Sequence, residues 1–429
     1  MIFWIACVGE PLPVDPESPR LYRAGQLAER LVQRGHKVVY WAATLNHAKK
    51  TFRAAENRKI RVRENYDLIL LHGRGYQKNV SLRRVLHSYD VAKNFSDLAS
   101  NLNHRPDLIL CAYPTIELSD ACVRFGRSHN IPIILDVRDL WPDIFEDYLP
   151  KPAALLFRPV RSYFDRTARQ AFSGATAITG ISNGFVNWAL NKGHRKSTKL
   201  DKHFFHAYLP YEPSGEEKRA AEEYLNKAGV SNSPDGFLVA YIGNLSFDTE
   251  LACSIDAVRM IPWEIAKNFQ LVICGLGEAL DSLKRQASDL PNVIFPGWLN
   301  KAQISVLMNR ASIGVVPYLS TKNFRAAIPN KVGEYLSAGL PIISTIQGNL
   351  AEFLEENKCG VTVPNNSPKQ FASAIVALYK SGEERNNMSR RASNVFHQHF
   401  DADKVYNDYC KHIEELARNR ILRDGGTET

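Results

Sequence analysis

A short helix flanked by two strands, in residues 311–345, restricts this chain to the α/β class of folds. From residue 328 the sequence reads Ile-Pro-Asn-Lys-Val-Gly-Glu-Tyr-Leu-Ser-Ala-Gly-Leu-Pro and then Ile-Ile-Ser-Thr. Pro329 suits the first helical position, where an N–H group would lack a partner anyway, and Gly339 followed by proline stops the helix after about ten residues. Residues 342–345 form a β-branched strand behind the helix, and residues 311–318 form another ahead of it. Strand, loop, helix and strand in this order make a parallel α/β unit.

The N-terminus of this helix suits a phosphate group. It lies beyond the carboxyl end of a strand, where parallel sheets bind ligands, and its free N–H groups carry about half a positive charge. Lys331 adds a full charge at that end, and Glu334 lies three residues later on the same face. A nucleoside diphosphate joined to a sugar fits such a face, with its phosphates on Lys331 and its hydroxyls on Glu334. The alternative is a surface ion pair between the two side chains.

The pattern Asn-Lys-x-x-Glu-Tyr-x-x-Ala-Gly-x-Pro, which begins at Asn330, resembles the donor-site helix of the retaining glycosyltransferases of family four. This resemblance covers nearly the whole chain and implies the α/β fold named GT-B. Such a fold has two Rossmann-like domains facing across a cleft, with a C-terminal helix that crosses back to the first domain. The resemblance also implies that Glu334 holds the donor ribose hydroxyls and that basic residues such as Lys331 neutralise the diphosphate.

Two departures from the family pattern concern the donor. Many members place a second glutamate eight positions before the one that matches Glu334, and this chain has Ala326 there. The Pro-Asn-Lys opening resembles a branch that often lacks this second glutamate, the N-acetylfucosamine transferases of bacterial surface polysaccharide assembly. Members also carry Arg and then Lys-Gly after the first strand of the second domain, where this chain has Asn244 and Thr249-Glu250. Neutralisation of the diphosphate then falls on Lys331 and its helix terminus. Three further cations are candidates to help: Arg325, Lys322 and Arg138. The alternative is that donor binding has been lost.

Further donor contacts follow from the order of the family segments. Gly275-Leu-Gly277 is a tight turn after a strand, where backbone can approach a nucleotide. Residues 293–298 resemble the segment that pairs with the base, and residues 322–327 are expected to form a loop along the sugar pocket. The predicted donor-binding residues are Glu334, Lys331, Asn330, Gly243, Asn244, Gly275, Gly277, Trp298, Arg325 and Ala326.

In the first half of the chain, a second motif follows a buried strand. The apolar residues 131–137 lead into Arg138-Asp139-Leu-Trp-Pro, where family members carry His-Asp or Arg-Asp before Leu-Trp-Pro. Arg138 would offer fixed donors to a sugar or diphosphate, and Asp139 would orient it or accept a hydroxyl hydrogen bond. We therefore predict Asp139, Arg138 and Lys331 as catalytic residues. The alternative is a buried Arg–Asp pair that closes the domain.

The acceptor is expected to bind at the loops that follow the strands of the first domain. In the family, the loop after the first strand faces the acceptor. Residues 72–79 combine two glycines with basic side chains, which favours an anion-binding or acceptor loop. The predicted acceptor contacts are Gly9, Glu10, Arg23, Arg74, Tyr76 and Lys78. For Arg23 an ordinary surface position is the alternative.

Length and charge limit the number of domains and the kinds of binding partner. The 429 residues suit two domains of roughly 200 residues each. We predict an acceptor-binding domain at 1–210, a nucleotide-sugar-binding domain at 211–398, a returning helix at 399–420 and a tail at 421–429. Residues 1–200 hold 30 Lys and Arg against 18 Asp and Glu, whereas the rest hold 24 against 27. This basic excess suits an anionic membrane surface, a phosphorylated acceptor or a merely solvated surface, and without a nucleic-acid motif we expect no nucleic-acid partner.

Membrane contact is expected to be peripheral. Residues 151–172 interleave apolar, aromatic and basic side chains, and a helix of this kind either lies on an anionic membrane or packs against its domain. No apolar run approaches the roughly 18 residues that a spanning helix requires. The seven cysteines are scattered without a C-x-x-C pair, which favours reduced thiols. We expect a cytoplasmic protein. Where it contacts a membrane, we expect it to bind peripherally at the inner face of the cytoplasmic membrane.

The resemblance implies a retaining glycosyltransferase of the hexosyltransferase type. We expect it to move an N-acetylated hexose or deoxyhexose from a UDP-type donor to a lipid-linked or polysaccharide acceptor, as in O-antigen or capsule biosynthesis in the cell envelope. Front-face attack, in which the leaving phosphate takes the acceptor proton, requires no metal or cofactor. Two alternatives are a GT-B sugar-nucleotide epimerase and a catalytically degenerate GT-B partner subunit. The second is suggested by Ala326, Asn244 and Thr249.

Overall fold

The protein folds into two compact units, each built around a sheet of mostly parallel strands, as the α/β prediction requires. The computed structural model describes residues 1–16, 20–79, 81–144 and 151–424, without the side chains of residues 151–157 and 420–424. One unit comprises Met1–Phe205 and Val405–Thr429, and the other comprises His206–Lys404. The first division falls slightly before the predicted boundary at residue 210.

The central strands of the sheet in the first unit are buried on both faces, as long apolar strands predict. The strands of this unit are β1 Ile2–Ala6, β2 Lys37–Ala43, β3 Leu45–Asn46, β4 Thr51–Phe52, β5 Arg58–Arg63, β6 Tyr66–Leu71, β7 Leu108–Tyr113, β8 Ile133–Val137, β9 Ala177–Gly180 and β10 Lys202–His203. Strands β3 and β4 form a small antiparallel pair outside the main sheet. Among the described residues the sheet order is β10-β9-β8-β7-β1-β2-β6-β5. All pairs are parallel except β5 with β6, so the carboxyl ends of β1, β2, β6, β7 and β8 share one edge.

Helices cover this sheet through an aromatic core. They are α1 Arg23–Gln33, α2 Leu82–Ser100, α3 Ile116–Ser128, α4 Lys151–Gly174 and α5 Asn183–Lys192. Trp4 of β1 lies 5.0 Å from Trp41 of β2, measured between ring centroids, and both rings contact Phe95 of α2. Phe125 of α3 stacks on Trp4. These contacts hold α2 and α3 over the sheet, with their N-termini at the edge where β6 and β7 end.

The second unit has a parallel sheet whose winding reverses at its centre. Its strands are β11 Phe237–Ile242, β12 Phe269–Cys274, β13 Val293–Gly297, β14 Ile313–Val316, β15 Ile342–Ser344 and β16 Gly360–Thr362. Their order in the described part of the chain is β13-β12-β11-β14-β15-β16, and all pairs are parallel. The gap between β11 and β14 is therefore a topological switch point, where open α/β sheets bind ligands at the carboxyl ends of the strands.

The predicted strand, helix and strand around Lys331 are present, with shifted ends. The helices of this unit are α6 Gly215–Lys227, α7 Leu251–Val258, α8 Trp263–Ala266, α9 Leu280–Gln286, α10 Lys301–Arg310, α11 Lys322–Ala326, α12 Asn330–Ser337, α13 Asn349–Asn357, α14 Pro368–Lys380 and α15 Gly382–His399. Pro329 precedes α12 as its cap residue, so its predicted place as first helical residue is wrong by one position. Gly339 follows the helix with φ +67°, a left-handed conformation that suits glycine and ends the helix as predicted.

The last helix, α16 Ala402–Asp424, belongs for most of its length to the first unit. Within that unit its Glu414 accepts hydrogen bonds from Arg34 at 2.6 Å and pairs with His36 at 2.8 Å. The helix runs past the predicted end at residue 420, and residues 425–429 of the predicted tail lie outside the described residues. None of the described helices is both long enough and apolar enough to cross a membrane.

Candidate functional site

The side chain of Lys331 lies buried at the N-terminus of α12, under two aromatic rings. Its Nζ is 3.8 Å from the ring centroid of Tyr241 on β11 and 4.5 Å from that of Tyr318, just beyond β14. Lys331 is only 7% exposed, so the alternative of a surface ion pair with Glu334 is wrong. Its amine has no hydrogen-bond partner among the described residues. Burial lowers the pKa of Lys331 to about 7, although the Glu334 carboxylate acts in the opposite direction.

Two glycine-containing loops close around this amine from the ends of β11 and β12. A Cβ atom at Gly243 would lie 2.8 Å from the Lys331 Nζ, and one at Gly275 would lie 1.8 Å from the Gly243 carbonyl oxygen. A Cβ at Gly277 would meet the carbonyl of Leu245 at 2.3 Å. Backbone hydrogen bonds join the two loops, including one from Gly243 N to the Cys274 carbonyl at 3.0 Å. The packing therefore requires glycine at these three positions, and Gly243 brings its backbone close to the lysine.

Asn244 and Thr249, which stand where family members carry cations, support the two aromatic rings over Lys331. The hydroxyl of Tyr241 donates to the carbonyl of Asn244 at 2.7 Å, and the backbone of Thr249 forms an antiparallel bridge with Tyr318. The loop after β11 thus fixes both rings that cover Lys331. A charged Lys331 in this enclosed position would act on a nearby anion more strongly than an exposed lysine, because water is excluded.

The remaining predicted donor contacts also belong to the second unit. Glu334 is half-buried one turn after Lys331, whereas Asn330 and Arg325 are exposed. Residues 322–326 form the short helix α11 rather than the predicted loop, because Thr321 caps it by accepting a hydrogen bond from Phe324 N at 3.3 Å. Ala326 is half-buried at the end of that helix.

Trp298 is placed beside the glycine loops by the end of β13. The carbonyl of Gly297 accepts a hydrogen bond from Gly275 N at 2.9 Å, which brings the two loops together. The Trp298 ring is 66% exposed, so its face is open to a planar ligand group.

In the first unit, a buried carboxylate that sequence reasoning missed organises several predicted residues. Asp136 of β8 accepts hydrogen bonds from Arg23 at 2.9 and 3.1 Å, from Arg138 at 2.9 Å, from Thr179 at 3.0 Å and from Tyr409 at 3.1 Å. Burial alone would raise its pKa, but the two guanidinium groups hold the pKa of Asp136 well below its usual range. The sequence signal for this network was the charged Asp136 inside the otherwise apolar run 131–137. Arg23 is fully engaged here, away from any ligand surface.

Arg138 joins this network to the loop after β1. It pairs with Asp136 and with Glu10, which also accepts the backbone N–H groups of Ala24 and Gly25 at the start of α1 at 3.0 and 3.2 Å. The alternative of a buried arginine pair thus applies, with Asp136 and Glu10 among its partners. One guanidinium nitrogen, Nη2, has no hydrogen-bond partner among the described residues, so Arg138 retains a donor for a ligand.

A cavity of about 590 Å³ opens at this edge of the first unit. The predicted residues that line it are Gly9, Glu10, Tyr76, Arg138 and Asp139. Arg74 and Lys78 do not line it; Arg74 forms an exposed pair with Asp90 at 2.8 Å, and Lys78 is exposed. Most of the other lining side chains are apolar or aromatic, and Glu117 and His47 were not predicted.

Comparisons with known proteins agree with this architecture. Residues 22–200 match the family described as glycosyl transferase 4-like domain, and residues 225–395 match glycosyl transferases group 1. HepE of Anabaena, solved in complex with UDP, superposes with a TM-score of 0.65 at 14% identity over 96% of this chain and 99% of that one. Sucrose-phosphate synthase of Thermosynechococcus elongatus gives 0.68 at 14% identity over 97% and 98%. These identities show the fold alone.

Two curated relatives match in part. An uncharacterized glycosyltransferase of Methanocaldococcus jannaschii is 22% identical over 61% of this chain and 64% of its own length. The putative colanic acid biosynthesis glycosyltransferase WcaL of Escherichia coli is 24% identical over 32% of this chain and 34% of its own. The matched regions thus span less than two thirds of either relative. Two Rossmann-like units, the second with a lysine-bearing helix and glycine loops at its switch point, define a GT-B glycosyltransferase fold. The first unit is thus similar to the glycosyl transferase 4-like domain and the second unit to the glycosyl transferases group 1.

Proposed function

We propose that this protein is a retaining glycosyltransferase that moves an N-acetylated hexose or deoxyhexose from a UDP-type donor to a lipid-linked or polysaccharide acceptor. The observation that carries the proposal is the buried, unpartnered amine of Lys331 at a helix N-terminus beside glycine backbone. HepE, a structural neighbour, was solved with UDP, and WcaL is described as a colanic acid biosynthesis enzyme. Both printed descriptions agree with a nucleotide donor and a cell-surface glycan. The Pro-Asn-Lys opening of α12 supports the N-acetylfucosamine-transferase-like branch.

The proposed reaction exchanges one bond at the anomeric carbon of the donor sugar. The bond to the diphosphate oxygen breaks, the acceptor oxygen bonds to the anomeric carbon on the same face, and the departing phosphate oxygen takes the acceptor proton. Negative charge therefore develops on the diphosphate, where Lys331 and the N–H groups of α12 would stabilise it. Glu334 would hold the ribose hydroxyls, and Trp298 with the backbone at Gly275 and Gly277 would contact the base.

In the first unit, Arg138 and Asp139 would orient the acceptor within the cavity, with Gly9, Glu10 and Tyr76 as its walls. The free Nη2 of Arg138 and the position of Asp139 at the cavity surface support this assignment. Peripheral contact with an anionic membrane is supported by α4, on which Val160 and Tyr163 are 40% and 50% exposed beside the exposed Arg158.

The most direct test assays a panel of UDP-, GDP- and TDP-sugars for nucleotide release, with membrane lipid extract as acceptor. We expect release from a UDP-sugar that depends on the extract. The degenerate partner subunit, suggested by Ala326, Asn244 and Thr249, would bind no nucleotide sugar in calorimetry. An epimerase would change a sugar stereocentre without acceptor, which NMR would detect.

Replacing Glu334 with alanine is expected to weaken donor binding about 10- to 100-fold, because hydrogen bonds between a carboxylate and two ribose hydroxyls would be lost. The effect should appear as a raised KM for the nucleotide sugar with a smaller change in kcat. Glu356→Ala, an exposed carboxylate on α13, is the matched control and should leave both constants unchanged. A Glu334→Ala enzyme with the wild-type KM would remove Glu334 from the donor site.

Donor binding is expected to take up a proton at Lys331. Burial holds the pKa of this amine at about 7, and a bound diphosphate would raise it, so uptake occurs above pH 7 and disappears where the lysine is already charged. Calorimetry of UDP-N-acetylglucosamine binding in buffers of different ionisation enthalpy should show a buffer-dependent enthalpy at pH 8 and none at pH 6. Lys331→Met should abolish this dependence. Equal enthalpies in all buffers at pH 8 for the wild type would contradict the prediction.

A further inference from the structure

The cavity of the first unit has an apolar rim and a polar interior. It lies at the carboxyl ends of β1 and β7, under α2 and α4, and its wall includes Val85 of α2 and Phe164 of α4. Its rim includes Leu82, which is 72% exposed, and Val160, which is 40% exposed. Apolar side chains that border a cavity and remain open to solvent favour a ligand with a hydrocarbon portion.

One carboxyl group inside this cavity has no side-chain partner among the described residues. Glu117 lies in the first turn of α3, lines the cavity, and is 8% exposed. It makes no hydrogen bond or ion pair with another side chain in the described part of the chain, and burial raises its pKa to about 7. It accepts a hydrogen bond from its own backbone N–H, and because a carboxyl group can take part in more than one hydrogen bond, a ligand hydroxyl can still bind to it.

The nearest cation is engaged elsewhere. Arg84 of α2 donates to the carbonyl of Asn79 at 2.8 Å, and its guanidinium lies 4.3 Å from the ring centroid of Trp141. It influences Glu117 only through a longer-range electrostatic attraction. Glu117 is thus placed to accept a hydrogen bond from a hydroxyl group that enters the cavity, or to donate one when protonated.

We propose that this cavity binds an amphiphile, with the Glu117 carboxyl on a hydroxyl group of its polar head and the rim of Leu82 and Val160 on its hydrocarbon chain. This rests on the proposed function, since the amphiphile is the lipid-linked acceptor, and it assigns that acceptor's two chemical parts to separate walls of one cavity. The apolar rim supplies affinity, and Glu117 selects a hydroxylated head.

The test uses n-octyl β-D-glucoside below its micelle concentration as the probe, titrated into the full-length protein by calorimetry. We expect it to bind at least about tenfold more tightly than glucose, because the octyl chain buries apolar surface. Glu117→Ala should weaken octyl glucoside binding about tenfold or more, whereas Glu117→Gln, which keeps hydrogen-bonding groups, should weaken it less. The double variant Leu82→Ser with Val160→Ser should weaken octyl glucoside and leave glucose unchanged.

Asp120→Asn is the matched control, because Asp120 lies on the same helix and is already paired with Arg124 at 2.9 Å. It should bind octyl glucoside as the wild type does. UDP binding by each variant reports an intact second unit, and circular dichroism with thermal unfolding reports an intact first unit. Octyl glucoside binding no tighter than glucose, or unchanged by Glu117→Ala, would overturn the proposal. A wild-type protein that binds octyl glucoside but no nucleotide or nucleotide sugar would instead count against the proposed transferase.

Discussion

Lys331→Met is expected to lower the rate of sugar transfer at least about 100-fold, because it removes the buried cation beside the developing charge on the leaving diphosphate. Methionine keeps the length of the side chain between Tyr241 and Tyr318, so the aromatic walls retain their packing. Initial rates of nucleotide release at saturating donor measure this loss. The effect should fall mainly on kcat, since the lysine interacts more strongly with the departing diphosphate than with the bound donor.

The same substitution should leave the protein at least as stable as the wild type. A buried amine without a hydrogen-bond partner costs free energy, so its removal should raise the free energy of unfolding by up to about 3 kcal/mol. The loss of the favourable cation–π interactions with the two aromatic rings reduces this gain. Lys369→Met, at an exposed position on α14, is the control and should change neither activity nor stability. A Lys331→Met enzyme with wild-type activity would exclude the catalytic role, and one that unfolds more easily would show that the lysine stabilises the fold.

The centre of the second unit could be predicted from sequence because its constraints are local. The spacing of Pro329, Lys331 and Gly339 fixes one helix between two strands, and the structure shifts its start by a single residue. The turn at Gly275 and Gly277 was expected to let backbone approach a nucleotide, and the structure shows that a side chain at either position would clash with neighbouring backbone. The burial of Lys331 could not be predicted, because it depends on Tyr241 and Tyr318, which are distant in sequence and meet only across the switch point.

The first unit was harder to predict because its key contacts join distant residues. Besides the neighbouring Arg138, Asp136 binds Arg23, Thr179 and Tyr409 from three other parts of the chain, and no sequence spacing signals such a group. Arg23 was therefore expected at the acceptor, whereas the fold uses it inside the domain. Strand β5 was not predicted for a different reason: it is a largely exposed edge strand rich in arginine and lysine, without an apolar run.

Asp136→Ala is expected to destabilise the first unit by about 3–5 kcal/mol, the largest stability change that we predict. It would leave two arginines, one of them Arg23 at 3% exposure, without the carboxylate that neutralises both. Urea unfolding followed by fluorescence of Trp4 and Trp41, which lie in the core of this unit, measures the change. UDP binding should survive at urea concentrations that unfold the first unit alone, because the proposed donor site belongs to the other unit.

The pH dependence of stability distinguishes the effect of the Asp136 charge from the effect of its side-chain packing. Since the pKa of Asp136 is depressed in the folded state, its contribution to stability is present above its unfolded pKa near 3.8 and is lost as the pH falls below that value. The stability difference between wild type and Asp136→Ala should therefore shrink in acid. Asp90→Ala breaks the exposed pair with Arg74 and should leave stability nearly unchanged at any pH. A stability difference that persists undiminished in acid would assign the loss to a cavity and not to the missing negative charge beside Arg23 and Arg138.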